Sequence, residues 1–349
     1  MVGLVLVAVA LFGCHSASAG GSHAAANDGT TVTNTVGSTT VMRVSGADDF
    51  AVAGELAKHW ASASDAVIAR ADDPADALAG SYLAGSHITP ILLAQQHDVP
   101  QATLDALKRL GVYHVRVLGG EGALGPEVVD QLQSAGMKQV DRIGGRDRYE
   151  TAKLVAESSG VTNVGSRSGL GPTVILANGL QPADALAAGP VSYGQQWPIV
   201  LTASDVLPAA TKQALDDLHV THVIVVGGTA AVGEGVVQVL EASGRSVERI
   251  AGVNRMATAA ALADLLIAIG EQVSRVEVAS TSSTAIALAL GPHAAPDAPV
   301  LLCATKDDCG TETIGWITQH AAAVSTVVVG GGTDVVSDAA ASQLATAAG

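Results

Sequence analysis

Four short phrases return three times, in the same order, along this 349-residue chain. The first copy reads Arg43-Val-Ser-Gly46, Pro74-Ala-Asp-Ala-Leu-Ala79, Pro90-Ile-Leu-Leu93 and Val117-Leu-Gly-Gly120. The second reads Arg142-Ile-Gly-Gly145, Pro182-Ala-Asp-Ala-Leu-Ala187, Pro198-Ile-Val-Leu201 and Val225-Val-Gly-Gly228. The third reads Arg249-Ile-Ala-Gly252, Thr284-Ala-Ile-Ala-Leu-Ala289, Pro299-Val-Leu-Leu302 and Val328-Val-Gly-Gly331. From Pro90 to Pro198 is 108 residues and from Pro198 to Pro299 is 101. A period of that length describes three small α/β units in tandem, each able to bury a core. Function is therefore expected three times over, or at a junction of three.

The middle copy shows the unit most clearly. Arg142-Ile143 ends a short strand, and Arg148 to Glu157 carries apolar residues at helical spacing. Strands are expected at Thr173–Ala177, Pro198–Thr202 and His222–Val226. Helices are expected at Pro182–Ser192, Pro208–Leu218 and Gly233–Ala242. Apolar strand runs alternating with helices predict a parallel sheet covered on both faces. The loops after such strands form the ligand-facing edge, and they hold Arg146, Arg148, Asp184, Thr202 to Ser204 and Gly227-Gly228. Aromatic residues make up only 3% of the chain against 48% apolar overall, so aliphatic side chains must fill the cores.

The triplicated pattern resembles the cell wall binding repeat type 2 family over residues 43 to 349. The resemblance implies three Rossmann-like or Toprim-like parallel-sheet modules about a pseudo-threefold axis. It also implies binding of an anionic wall polymer near the module junctions, with no catalysis. Module boundaries are expected at 41–141, 142–248 and 249–349. The copies differ: Asp49 and Phe50 stand where the second has Arg148 and Tyr149, and Ile286 replaces Asp76 and Asp184. The third copy therefore reads as degenerate and the second as most intact. Candidate ligand contacts are Arg146, Arg148 and Arg255, because guanidinium suits bidentate capture of phosphate or carboxylate. Asp76 and Asp184 join them. Arg43, Arg142 and Arg249 recur at one position, where a ligand contact and a structural ion pair both remain open.

Residues 1–19 read as an export signal. Val2 to Phe12 is an apolar run too short to span a bilayer. Leu11-Phe12-Gly13-Cys14 resembles a bacterial lipobox, which implies lipidation of Cys14 and tethering to the outer face of the cytoplasmic membrane. An ordinary signal ending near Ala17-Ser-Ala19 is the alternative. Residues 20–40, rich in Gly, Ser, Thr, Ala and Asn, read as a flexible linker. Cys303 and Cys309 are then an even pair, and export favours a disulfide between them.

The formal charge of −15 argues against nucleic acid as a partner. Gly120-Glu-Gly-Ala-Leu-Gly125 fits a dinucleotide-binding pattern, but the second copy lacks its middle glycine, so no nucleotide is expected. Asp72, Asp73 and Asp76 read as a helix start rather than a calcium site. His219 and His222 read as exposed. No cofactor, metal or catalytic constellation is expected. A solute-binding lipoprotein with a ligand between α/β lobes is the alternative function, although two lobes would not require three copies.

Overall fold

The computed structural model describes residues 29–36, 39–159 and 164–349. The signal segment, with Cys14, lies outside the described residues. Chain order begins with β1 (Gly29–Val36), β2 (Thr39–Ser45), α1 (Asp49–Leu56), β3 (Asp65–Arg70), α2 (Pro74–His87) and β4 (Ile91–Ala94). It continues through α3 (Gln101–Leu110), β5 (His114–Leu118), α4 (Pro126–Ser134), β6 (Gln139–Ile143) and α5 (Arg148–Ser158). Next come β7 (Ser166–Arg167), β8 (Gly171–Asn178), α6 (Gly189–Gln195), β9 (Ile199–Thr202), α7 (Ala209–Asp217) and β10 (His222–Val226). The chain then forms α8 (Glu234–Ala242), β11 (Ser246–Ile250), α9 (Arg255–Ala268), β12 (Arg275–Ser280) and α10 (Thr284–Ala294). It closes with β13 (Val300–Cys303), α11 (Gly310–Gln319), β14 (Thr326–Gly330) and α12 (Asp338–Ala348).

Three parallel sheets result, and they are not cut where the repeats are. The first has the order β4-β3-β5-β6 and the second β9-β8-β10-β11, with β7 added antiparallel to β8. The third is β13-β12-β14-β2, edged by β1. The arginine-bearing strand that opens each repeat thus joins the sheet of the repeat before it. Arg142 lies on the outer strand of the first sheet and Arg249 on that of the second. Arg43, near the start of the chain, lies in the last sheet, where β2 runs parallel to β14 from Thr40 beside Thr326 to Val44 beside Gly330. The described chain is therefore closed into a ring, and each sheet boundary falls one strand later than the boundary read from the sequence. The linker expected over residues 20–40 also ends earlier, since Gly29–Val36 pairs antiparallel with β2.

Helices α2, α6 and α10, the equivalents of one another, pack together at the centre. Their meeting point is made by equivalent small residues: Ser81, Gly189 and Gly291. A Cβ added to Gly189 would come within 2.8 Å of the Gly291 Cα and 3.2 Å of the Ser81 hydroxyl oxygen. The backbones can approach this closely only because side chains are missing. In the second repeat Pro182–Ala188 is a 3-10 helix ahead of α6, where one continuous helix was expected. Pro190 has no N–H to donate back into the preceding turn. Around this hub a continuous aliphatic core runs through all three repeats, with a second cluster on the outer side of the second sheet. Cys303, at the end of β13, is paired with Cys309, just before α11.

Candidate functional site

Each repeated arginine clamps a glycine turn. Gly119, Gly227 and Gly331, the turn residues after β5, β10 and β14, have φ of 97°, 107° and 103°, a region glycine enters without strain. Arg142 donates from Nη1 to the Gly119 carbonyl at 2.9 Å and from Nη2 to the Gly125 carbonyl at 3.2 Å. Arg249 donates to the Gly227 carbonyl at 2.9 Å and pairs with Glu234 at 3.1 Å. Arg43, only 3% exposed, donates to the carbonyls of Gly331 and Val336 and pairs with Asp338 at 3.1 Å. Burial lowers the pKa of Arg43 and of Arg142 from the usual arginine value. Of the two roles left open for Arg43, Arg142 and Arg249, these hydrogen bonds are those of a structural clamp on the turn. Through the same two carbonyls Arg142 grips both ends of the Gly120–Gly125 loop.

The remaining site residues meet between repeats. At the first junction Arg148, opening α5 in the second repeat, reaches Asp73 of the first at 3.6 Å. It also donates to the Gly179 carbonyl at 2.7 Å. Asp76 lies against the Gly119 turn, where a Cβ on that glycine would sit 2.5 Å from the carboxylate. Burial, reinforced by Asp73, raises the Asp76 pKa, while Arg148 and the Thr151 hydroxyl oppose the rise. Asp73, Asp76, Glu121, Arg146, Arg148 and Thr151 share one cleft of about 330 Å³. At the second junction the same geometry is built from Asp184, Arg255 and Thr258. Burial raises the Asp184 pKa, and Arg255 and Thr258 of the third repeat oppose it. Thr151 and Thr258 accept equivalent hydrogen bonds from Gly145 and Gly252, both at 3.1 Å.

Arg148 and Asp184 consequently face different junctions, although they belong to one sequence copy. Where the third repeat meets the first, Ile286 occupies the acid position beside Gly331. Asp49 replaces the arginine and accepts a hydrogen bond from the Ser283 hydroxyl at 3.1 Å. Val52 replaces the threonine. The substitutions that seemed to degrade two different copies thus fall together on one junction. Sequence reasoning missed Thr151 and Thr258. Their signal was legible in the pattern R-[IV]-x-G-x-x-R-x-x-T, which the first copy breaks at Asp49 and Val52.

Of the other candidates, Arg146 is 89% exposed at its side chain and forms an i,i+4 pair with Glu150 at 2.8 Å. Asp73 caps α2, accepting from the Ala75 N–H at 3.3 Å, as expected of a helix start, and Asp72 is bound by Arg70. His222 is only 2% exposed, held by the Ser246 hydroxyl at 2.8 Å, which corrects the expectation of a solvent-exposed side chain. Among the described residues no group of three or more His, Cys, Asp or Glu could hold a metal ion, and no helix is long and apolar enough to cross a membrane.

Comparison with known proteins bears on most of the chain. N-acetylmuramoyl-L-alanine amidase LytC of Bacillus subtilis is 30% identical over 221 residues, 63% of this chain and 42% of LytC. The amidase enhancer of the same organism is 26% identical over 197 residues, 56% of this chain and 25% of the enhancer. The chain thus spans less than half the length of these relatives. Cwp6 from Clostridium difficile superposes with a TM-score of 0.74 at 26% identity, covering 88% of this chain and 48% of Cwp6. Cwp8 from the same organism gives 0.76 at 23% identity, covering 88% and 51%, a likeness of fold. The model of cell wall binding domain 2 matches residues 43–129, 142–237 and 249–341, and the chain belongs to that family, with three repeats.

Proposed function

We propose that this protein binds an accessory polymer of a bacterial cell wall through the clefts between successive repeats, and performs no chemistry on it. Membership of the wall-binding family supports association with the wall. The observation that carries the finer reading is the repeated set of Asp, Arg and Thr, contributed across a junction at two of three places, with the arginine half-exposed or exposed over a more deeply set aspartate and threonine. A carboxylate and a guanidinium side by side can hold a sugar hydroxyl and an anionic group together. The match to LytC belongs, in this reading, to its binding repeats rather than to its amidase activity. Export, lipidation of Cys14 and a Cys303–Cys309 disulfide complete the proposal, holding the binding unit between membrane and wall. Purified protein should co-sediment with intact walls and be released when accessory polymer is stripped from them. Equal binding to bare peptidoglycan would redirect the ligand, and failure to sediment would overturn the assignment.

A further inference from the structure

The two junctions that keep arginine, acid and threonine differ in everything around that set. The first cleft is lined by four carboxylates, Asp73, Asp76, Glu121 and Asp147, and by two guanidiniums, Arg146 and Arg148. Neither arginine is uncommitted: Arg146 is paired with Glu150, and Arg148 lies between the Gly179 carbonyl and Asp73. In repeat register the second junction replaces Asp73 by Gln181, Glu121 by Thr229, Asp147 by Asn254 and Arg146 by Val253. One carboxylate, Asp184, and one guanidinium, Arg255, are left at these positions. Arg255 is exposed; among the described residues its guanidinium makes no hydrogen-bonded ion pair, and it acts on Asp184 only through space. Asn254 turns its amide to Glu312 of α11, inside the third repeat. The rim is aliphatic, with Leu180 63% and Val253 92% exposed.

We infer that the anion-binding site of this protein is the junction of the second and third repeats, with Arg255 as the group that contacts a phosphodiester or uronate of the polymer. This rests on the wall-binding reading and names the place within it. A chain of charge −15 repels a polyanion over most of its surface, and least where carboxylates do not outnumber guanidinium groups and the arginine is not held in a hydrogen-bonded ion pair. The first cleft has an excess of carboxylates and its arginines already have partners, so an incoming anion must displace an ion pair there. At the second junction the guanidinium fork is open, and the aliphatic rim offers the C–H face of a sugar ring an apolar surface. The third junction, with Asp48, Asp49 and no arginine at the equivalent positions, repels anions.

The test is a binding isotherm of the full protein on walls carrying their accessory polymer, with hydrofluoric-acid-stripped walls as the matched arm. Loss of one charge-assisted contact lowers affinity about tenfold or more, so Arg255→Ala should do so, and Arg148→Ala, whose guanidinium already has protein partners, should lose less. Arg255→Lys should recover part of the loss, because charge survives and the planar fork does not. Gln181→Asp, which installs the acid of the first cleft beside Arg255, should also weaken binding and does not touch the arginine itself. Melting temperatures identify any variant whose loss is structural. Wild-type binding that persists unchanged in Arg255→Ala and Gln181→Asp, or that falls more in Arg148→Ala, overturns the inference while leaving wall binding intact. Absence of wild-type binding overturns the wall-binding reading and this inference with it.

Discussion

The first and second junctions share one framework and differ in how it is charged. Both set an aspartate of one repeat beside an arginine and a threonine of the next, over a glycine turn clamped from below by another arginine. The first surrounds that set with further carboxylates, and the second with amide, hydroxyl and aliphatic groups. Tandem duplication therefore conserves the frame more strictly than the site. The frame sits on the shared hub and cannot vary alone, whereas rim residues face solvent and can change one junction at a time.

The largest effect should come from the part the junctions have in common. Gly189→Val would drive side-chain atoms into the Gly291 backbone, where even a Cβ stands at 2.8 Å. Overpacking of this kind costs about 1–3 kcal/mol or more, and denaturant unfolding should show it. Wall binding should fall with it. The comparison would break if affinity for walls survived while the hub was disrupted. Gly228→Ala, with nothing within 4 Å of its added Cβ, is the control.

A smaller, purely structural effect is expected at the clamps. Arg43→Ala leaves the buried carbonyls of Gly331 and Val336 without their donor and removes the partner of the exposed Asp338. Unsatisfied buried groups cost about 1–3 kcal/mol each, so the melting temperature should drop while the affinity of the remaining folded protein stays unchanged. Because Arg43 holds the strand that closes the ring, an affinity loss without a stability loss would return it to the list of ligand contacts.

The third junction sharpens the contrast by reconstruction. Ile286 is 1% exposed, so Ile286→Asp alone buries an unpaired carboxyl, and such groups cost about 1–3 kcal/mol by mutational measures. Adding Asp49→Arg and Val52→Thr restores the set present at the other junctions, and part of the lost stability should return. A triple variant no more stable than Ile286→Asp would show that these positions do not form one unit.

Much of this was legible in the sequence. The repeat, the alternation of helices and aliphatic strands, and the glycine turns predicted three parallel-sheet units, and the ends of β8, β9 and β10 lie within two residues of the expected strands. What stayed hidden was partnership. Chain order does not reveal that β6 and β11 complete the sheet before them, or that β2 completes the last one, because strand pairing is a non-local choice made by the whole sheet. With that offset invisible, Arg148 and Asp184 looked like one site and Arg255 looked like the remnant of a worn one. The recurrent Arg43, Arg142 and Arg249 carried a real signal of importance, but recurrence alone does not distinguish a clamp from a contact.

The central claim, that each site is built between repeats, is tested most directly by following single carboxyl groups by NMR as pH is varied. Asp76 and Asp184 titrate above the usual aspartate value of about 3.9 because they are buried, and each is held back by one arginine of the following repeat. Both carboxyls therefore stay protonated to higher pH in the folded chain than in the unfolded one, and each contributes a loss of stability as pH rises through its raised value. Removing the opposing arginine should raise the value further. Arg148→Ala should move Asp76 upward and leave Asp184 in place, and Arg255→Ala should do the reverse. A shift of Asp184 in Arg148→Ala, with Asp76 unmoved, would put the site back inside a single repeat and contradict the account.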